Sequence, residues 1–287
     1  MKNILITGAN GLIGKSLLPL LAEENNLFAI TSQKNIQNTK NVTFIPIDLS
    51  KEWNTSILPN NIDLIIHLAQ SAHFRDFPEK SQEVFAVNTD STLKLLHYAQ
   101  QIGVKKFIYA SSGGVYGNGE QHFAEDSPLA PSGDLGFYLS TKLCSEILLE
   151  SFIKFFDIIT LRLFFVYGKN QKKSMLIPRL VDNVKESKTI ILQGENGIKI
   201  NPIHVDDAVI AIQNSLSLLG SHKINIAGNE VLSLKQIVEI IETHVGKKAV
   251  FKIQNQEIKN LVADTEKMER LLHIPSINLK MGLSSIV

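Results

Sequence analysis

The chain has 287 residues, 44% hydrophobic and 20% charged, enough for one large or two unequal domains with a sizeable core. A formal net charge of +1 excludes bulk attraction to nucleic acid or an anionic membrane, leaving only a local basic patch for a phosphorylated ligand. A single cysteine, Cys144, excludes an internal disulfide framework, suits a reducing compartment and reads as a small buried helix residue.

The first stretch, MKNILITGANGLIGKSLLPLLA, opens with a lysine before apolar residues as a signal peptide does. Three glycines, Asn10 and Lys15 break its apolar run, and no stretch of the chain reaches the ~18 apolar residues a membrane helix needs. A cytoplasmic enzyme with no membrane partner is expected. Within this stretch, Gly8, Gly11 and Gly14 stand at G-x-x-G-x-x-G spacing between a predicted strand, KNILIT, and a helical pattern from Lys15 to Glu23. Glycine permits the tight turn and lets backbone approach a pyrophosphate, and the helix N-terminus supplies free N–H groups and positive potential. Gly8, Asn10, Gly11, Leu12, Ile13 and Gly14 are therefore expected to contact a dinucleotide.

The second strand, LFAIT, runs into SQKN without the acid that would hold a free adenosine 2′-hydroxyl. Thr31, Ser32 and Lys34 instead offer donors to a 2′-phosphate, which favours NADP modestly over NAD. After the third strand, NVTFIPI, Asp48 and Leu49 are placed beside the adenine, with a helix-cap role for Asp48 as the alternative. The fourth strand, IDLIIHLA, leads to HLAQ and to a loop carrying His73 and Arg75. An amphipathic helix follows from Ser81 to Gln101, then a fifth strand, KKFIYASS, the motif SSGGVYG, a helix from Tyr138 to Phe156 and a sixth strand in DIITLRLFFV. This alternation predicts a doubly wound parallel α/β sheet of the Rossmann type over residues 1–165.

The rhythm changes after Tyr167. YGKNQKKS reads as a polar loop, TIILQG and KINPIHV as strands, and Leu234 to His244 and Thr265 to Leu272 as short helices. Residues 166–287 are thus expected to form mainly a smaller substrate-binding α/β region, with some segments returning to the first domain. His204 has no second histidine at ligand spacing, so no metal site is expected.

Tyr138 and Lys142 stand four residues apart, which places both on one helix face. With TGANGLIG, SSGGVYG and this Tyr-x-x-x-Lys, the chain resembles the extended short-chain dehydrogenase/reductase family, particularly its nucleotide-sugar epimerase/dehydratase branch. HLAQ, Asn88 in VNTDSTLKLL, LRLFFVYG and HVDDAV extend the likeness over nearly the whole chain. The resemblance implies Tyr138, Lys142 and Ser112 as the catalytic set. Lys142 would lower the tyrosine pKa and reach the cofactor ribose, and Ser112 would hydrogen-bond the same substrate oxygen as Tyr138. It further implies that Leu68, Ala69 and Gln70 pass beneath the cofactor and that Asn88 supports the serine-bearing strand at the cofactor site. Two such chains are expected to pair as a homodimer through the helices at 81–101 and 138–156.

Departures from the family pattern narrow the reaction. Dehydratases carry an acidic pair directly after the serine or threonine, where this chain has Gly113 and Gly114. Members that also epimerise beside a keto group use a cysteine and a histidine where Gly113 and Met175 stand. Phe165 replaces a frequent asparagine and Ile200 a frequent arginine, with Lys199 adjacent. Ser112, Gly113, His73, Arg75, Phe165 and Lys199 form the candidate substrate set. The expectation is an NAD(P)-dependent nucleotide-sugar epimerase working by reversible hydride transfer at a carbinol carbon, C4. An NADPH-dependent nucleotide-sugar 4-ketoreductase is the alternative, and a non-catalytic dinucleotide-sensing protein the third possibility.

Overall fold

The computed structural model describes residues 1–33, 36–256 and 259–287. The short apolar runs become strands β1 (Asn3–Thr7), β2 (Asn26–Thr31), β3 (Val42–Pro46), β4 (Leu64–His67), β5 (Lys106–Ser112) and β6 (Asp157–Leu163). A seventh strand not anticipated from the sequence, β7 (His222–Ile226), joins them. The sheet order is β7-β6-β5-β4-β1-β2-β3. β1 runs parallel to both β2 and β4, with Ile4 beside Leu27 on one side and Leu64 on the other. Strand order therefore reverses between β1 and β4, and the crevice at their carboxyl ends is where a doubly wound sheet holds its ligand.

The strands are apolar on both faces because helices cover both. All four residues of β4 and the first six of β5 are buried. Helices α1 (Leu12–Ala22), α2 (Ser81–Phe85), α3 (Ser91–Ile102) and α4 (Gly136–Glu150) supply much of the cover. Leu95, Leu96 and Ala99 of α3 and Leu149 of α4 pack with Leu5, Ile65 and Phe107 of the sheet. Each leucine, isoleucine or phenylalanine among them contributes roughly 1.5–3 kcal/mol on burial. α3 stops at Gly103, whose left-handed φ of 76° closes the last turn. The helix expected without interruption from Ser81 to Gln101 contains a π turn at Ala86–Asp90. α4 begins two residues earlier than expected and ends at Glu150, because the chain must turn to enter β6 at Asp157.

The chain divides into two compact units. The first comprises Met1–Val115, Ala130–Arg162 and Ile212–Ile224, and the second Tyr116–Leu129, Leu163–Ala211 and Asn225–Val287. One cut after residue 165 does not describe this. Residues 116–129 belong with the second unit, and 212–224 return to the first on the way to β7. The second unit contains α5 (Leu176–Lys185), α7 (Leu234–Val245), α8 (Glu266–Leu271) and α9 (Leu279–Leu283); α6 (Val205–Ser215) begins in it. Its core gathers Ile177, Leu180 and Val181 with Ile237, Ile241 and Leu283. Ser233 and Gln236 form a reciprocal capping box at the start of α7. Within HVDDAV, the fully buried Asp207 accepts from His273 Nε2 (2.7 Å), Ser276 N (3.1 Å) and Ile277 N (2.9 Å), anchoring the segment before α9. Among the described residues no helix is long and apolar enough to cross a membrane.

Candidate active site

The glycine loop leaves β1 with Gly8 at φ +71°, a left-handed conformation suited to glycine. A Cβ there would lie 2.8 Å from Ala69 N and Leu68 C, so the strand-end backbones of β1 and β4 touch at the crevice. A Cβ on Gly14 would lie 2.3 Å from the Gly8 carbonyl oxygen, which is how closely α1 packs on the loop. Gly11 is the N-cap of α1 with no side-chain cap, and a Cβ there would meet only Gly8 O, at 3.1 Å. The first N–H groups of α1 are thus left to an incoming anion, and the loop fits a dinucleotide pyrophosphate.

Beneath this crevice lies a buried polar network. The Thr7 hydroxyl accepts from Ala69 N–H (3.1 Å) and donates to His67 Nδ1 (2.6 Å). The Thr92 hydroxyl donates to the Asn88 carbonyl (2.7 Å), so the contact between His67 Nε2 and Thr92 Oγ1 (3.0 Å) is a donation from histidine. His67 is neutral there: burial, with the nearby Lys142 charge, pulls its pKa from 6.5 to about 3. The π turn frees the Asn88 carbonyl to accept from Ser145 Oγ (2.9 Å) as well as from Thr92. The Asn88 side chain accepts from Ser71 N (3.1 Å) and donates to Thr141 Oγ1 (3.0 Å). Both ends of that buried amide are engaged by protein. It braces the loop after β4 against α4.

The N-terminal turns of α4 and the end of β5 bring together Tyr138, Lys142 and Ser112. Lys142 Nζ donates to the Ala110 carbonyl (2.8 Å) and lies 5.0 Å from the centre of the Tyr109 ring. Burial pushes the Lys142 ammonium down to about 7, an effect Glu146 partly offsets. The tyrosine does not show the depression expected from the lysine. Burial raises Tyr138 well above its ordinary value, and a hydrogen bond with Ser112 works the other way. Gln70, expected beneath the cofactor, accepts from the Tyr138 hydroxyl at 2.9 Å.

The remaining sequence candidates fall in several places. Thr31 is buried, and its hydroxyl accepts from Asn10 Nδ2 (2.5 Å) and Gln33 N (3.1 Å); Ser32 is exposed and Lys34 lies outside the described residues. Leu12 and Ile13 open α1 half-buried. The Asp48 carboxylate accepts from Ser50 N (3.1 Å) and Oγ (2.6 Å), the cap-like alternative, and these bonds lower its pKa; Leu49 beside it is buried. His73 pairs with Asp76 (2.7 Å) and lies 3.9 Å from Glu83. Arg75 sits 4.9 Å over the Phe74 ring, itself 5.1 Å from the Tyr138 ring, so this loop packs on the catalytic helix. Phe165 and Lys199 belong to the second unit, where Phe165 packs on the apolar core and Lys199 is exposed while Ile200 is buried. Cys144 is half-buried, not buried as expected, because it lies on the outer side of α4. Among the described residues no cluster of three potential metal ligands occurs.

Two residues under this site were not singled out in the sequence. Glu146 accepts from Ser111 Oγ (2.5 Å) and pairs with Arg162 through Nη2 to Oε2 (2.7 Å), both ionic partners being buried. Glu146 follows Lys142 by four residues on the same helix face, the one signal that pointed to it.

A Rossmann sheet with a glycine loop at its switch point, and a serine, a tyrosine and a lysine converging at the end of β5, defines a dinucleotide-dependent enzyme of the extended short-chain dehydrogenase/reductase class. Residues 4–227 match the model of the NAD dependent epimerase/dehydratase family, and the chain belongs to that family. It is 29% identical to a UDP-glucuronate 4-epimerase of Thermodesulfobacterium geofontis, over 99% of this chain and 94% of that protein. It is 27% identical to a dTDP-4-dehydro-6-deoxyglucose reductase of Escherichia coli, over 99% and 96% respectively. The crystal structure of UDP-glucuronic acid 4-epimerase from Bacillus cereus, in complex with UDP-glucuronic acid and NAD, superposes with a TM-score of 0.86 at 28% identity, covering 99% of this chain and 97% of that one. The expected lean towards NADP finds no support in these comparisons, where the dinucleotide of the Bacillus cereus structure is NAD.

Proposed function

We propose that the chain is a UDP-sugar 4-epimerase that uses NAD and acts on one carbinol carbon. The observation that carries this reading is Gly113–Gly114 directly after Ser112, where a dehydratase needs an acid and a base. A Cβ at Gly114 would lie 2.7 Å from Leu139 Cδ2, so a side chain there requires Leu139 of α4 to move. What is left is Tyr138, which takes the proton from the sugar hydroxyl in one half-reaction and returns it to the carbonyl oxygen in the other, after the keto sugar has turned its opposite face to the dinucleotide. Ser112 hydrogen-bonds the same sugar oxygen, and Lys142 supplies positive charge to the phenolate. NAD, when bound, supplies the hydride acceptor and then the donor. Gly8, Gly11, Gly14 and the start of α1 would hold its pyrophosphate. The sugars named for the relatives make UDP-glucuronic acid the first substrate to try.

The test is to denature purified protein, identify the released dinucleotide, and follow UDP-glucuronic acid and UDP-glucose by nuclear magnetic resonance for inversion at C4. Tightly retained NAD and a C4 epimer are expected, with kcat falling about 10²–10⁴-fold in Tyr138→Phe. Protein that arrives without dinucleotide, binds NADPH and only reduces a 4-keto sugar would replace this reading with the reductase. Unchanged activity in Tyr138→Phe would remove Tyr138 from the chemistry.

A further inference from the structure

The Tyr138 hydroxyl donates to the amide oxygen of Gln70 at 2.9 Å. We infer that Gln70 is a positioning residue that holds the Tyr138 oxygen in both of its protonation states, its amide turning over as the proton leaves and returns. An amide presents an acceptor and a donor at nearly the same place. In the structure its Oε1 accepts from the phenol. When Tyr138 is a phenolate, that arrangement would set two acceptors against each other, and rotation of the amide brings its NH₂ to donate instead. Gln70 is exposed, and among the described residues no other hydrogen bond ties its amide, so this rotation disturbs nothing else. No proton is gained or lost by Gln70.

The charged and titratable groups around the tyrosine set the background. Lys142 and Glu146 come from its own helix. Tyr109 comes from β5, where it feels the Tyr138 charge. Arg75 comes from the loop after β4, through Phe74. Ser112 from the end of β5 also bonds Tyr138, and its hydroxyl, like the Gln70 amide, can turn from acceptor to donor. A bond to a charged oxygen is stronger than one to a neutral oxygen, so the amide favours the phenolate on balance. Removing it should raise the tyrosine pKa by about one unit, and placing a carboxylate there should raise it further.

The inference rests on Tyr138 being the proton-transfer group, and the experiment separates the two. Ultraviolet difference titration of tyrosinate, with Tyr138→Phe subtracted as blank, reads the ionisation of Tyr138 without turnover. Gln70→Leu is expected to shift that titration upward by about one pH unit and Gln70→Glu by more. In turnover, the acid limb of the kcat profile should move with it, so that raising the pH restores the activity of Gln70→Glu, while KM stays near the wild-type value. A mere loss of packing would not be restored by pH. Titrations of both variants that coincide with wild type, or move downward, overturn the inference even if Tyr138→Phe proves inactive. A shift in titration without a shift in turnover would instead count against Tyr138 as the proton-transfer group.

Discussion

His67 shows how a residue that never touches substrate is locked into one charge state. It is fully buried between Thr7 and Thr92, and its pKa falls from 6.5 to about 3. Between these values the unfolded chain takes up a proton that the folded chain refuses, so stability falls as pH falls from about 6.5 towards 3, by up to several kcal/mol. His67→Gln keeps hydrogen-bonding capacity without the titration and is expected to flatten this acid limb in urea unfolding followed across pH. An equally steep limb in the variant would show that other groups cause it. Which single residues were legible in the sequence follows the same physics. Tyr138, Lys142 and Ser112 stood out because a helix period and a short motif fix them locally. Gln70 to Tyr138 and His67 to Thr92 are contacts between chain segments 68 and 25 residues apart, which no local pattern records. Phe165 was noted only as a replacement for asparagine. Its φ of 42° lies in the left-handed region, which asparagine adopts more readily than a bulky aromatic.

The element that carries the chemistry is α4, and it is fixed from behind. Ser111 at the end of β5 donates to Glu146, which also pairs with Arg162 of β6, so one helix carboxylate ties two adjacent strands. Removing one partner from a buried pair costs about 3–5 kcal/mol because the other charge is left uncompensated. Glu146→Gln is expected to lose about that much in urea unfolding. A double variant, Glu146→Gln with Arg162→Met, should lose less than the two single changes added together, and additive losses would argue against coupling. At this scale the six strands that form sheet neighbours from β3 to β6 were legible from apolar runs between turn signals. β7 was not, because its pattern is short and follows a helix that had itself been missed. α5 was also passed over, although Ile177, Leu180, Val181 and Val184 repeat at helical spacing, because Pro178 near its start reads as a breaker. The π turn was invisible for a different reason: its freed carbonyl is filled by hydroxyls of α3 and α4 that only the tertiary fold brings near.

At the scale of the whole molecule, the first unit exposes more apolar side chain than a lone sheet cover explains. Phe85 on α2 is 48% exposed, Ile147 on α4 58%, and Phe155 in the turn after α4 50%. Leu143 and Cys144 stand four and three residues before Ile147, so all three fall on one stripe of α4 that turns away from the sheet. Scattered exposed leucines need no explanation, but an apolar stripe on a long helix is expected to be covered. We propose that a second copy covers it, because a two-fold axis lets the same stripe meet itself and bury both at once. Light scattering at micromolar concentration should then give about twice the 31.9 kDa of one chain. Ile147→Asp places a charge in the centre of the stripe and should give a monomer that still retains its dinucleotide, since the glycine loop lies on other elements. A wild-type monomer under these conditions removes the dimer. A variant that loses both association and dinucleotide would mean that pairing also holds α4 in place behind Tyr138, which the tyrosinate titration would read directly as a displaced pKa.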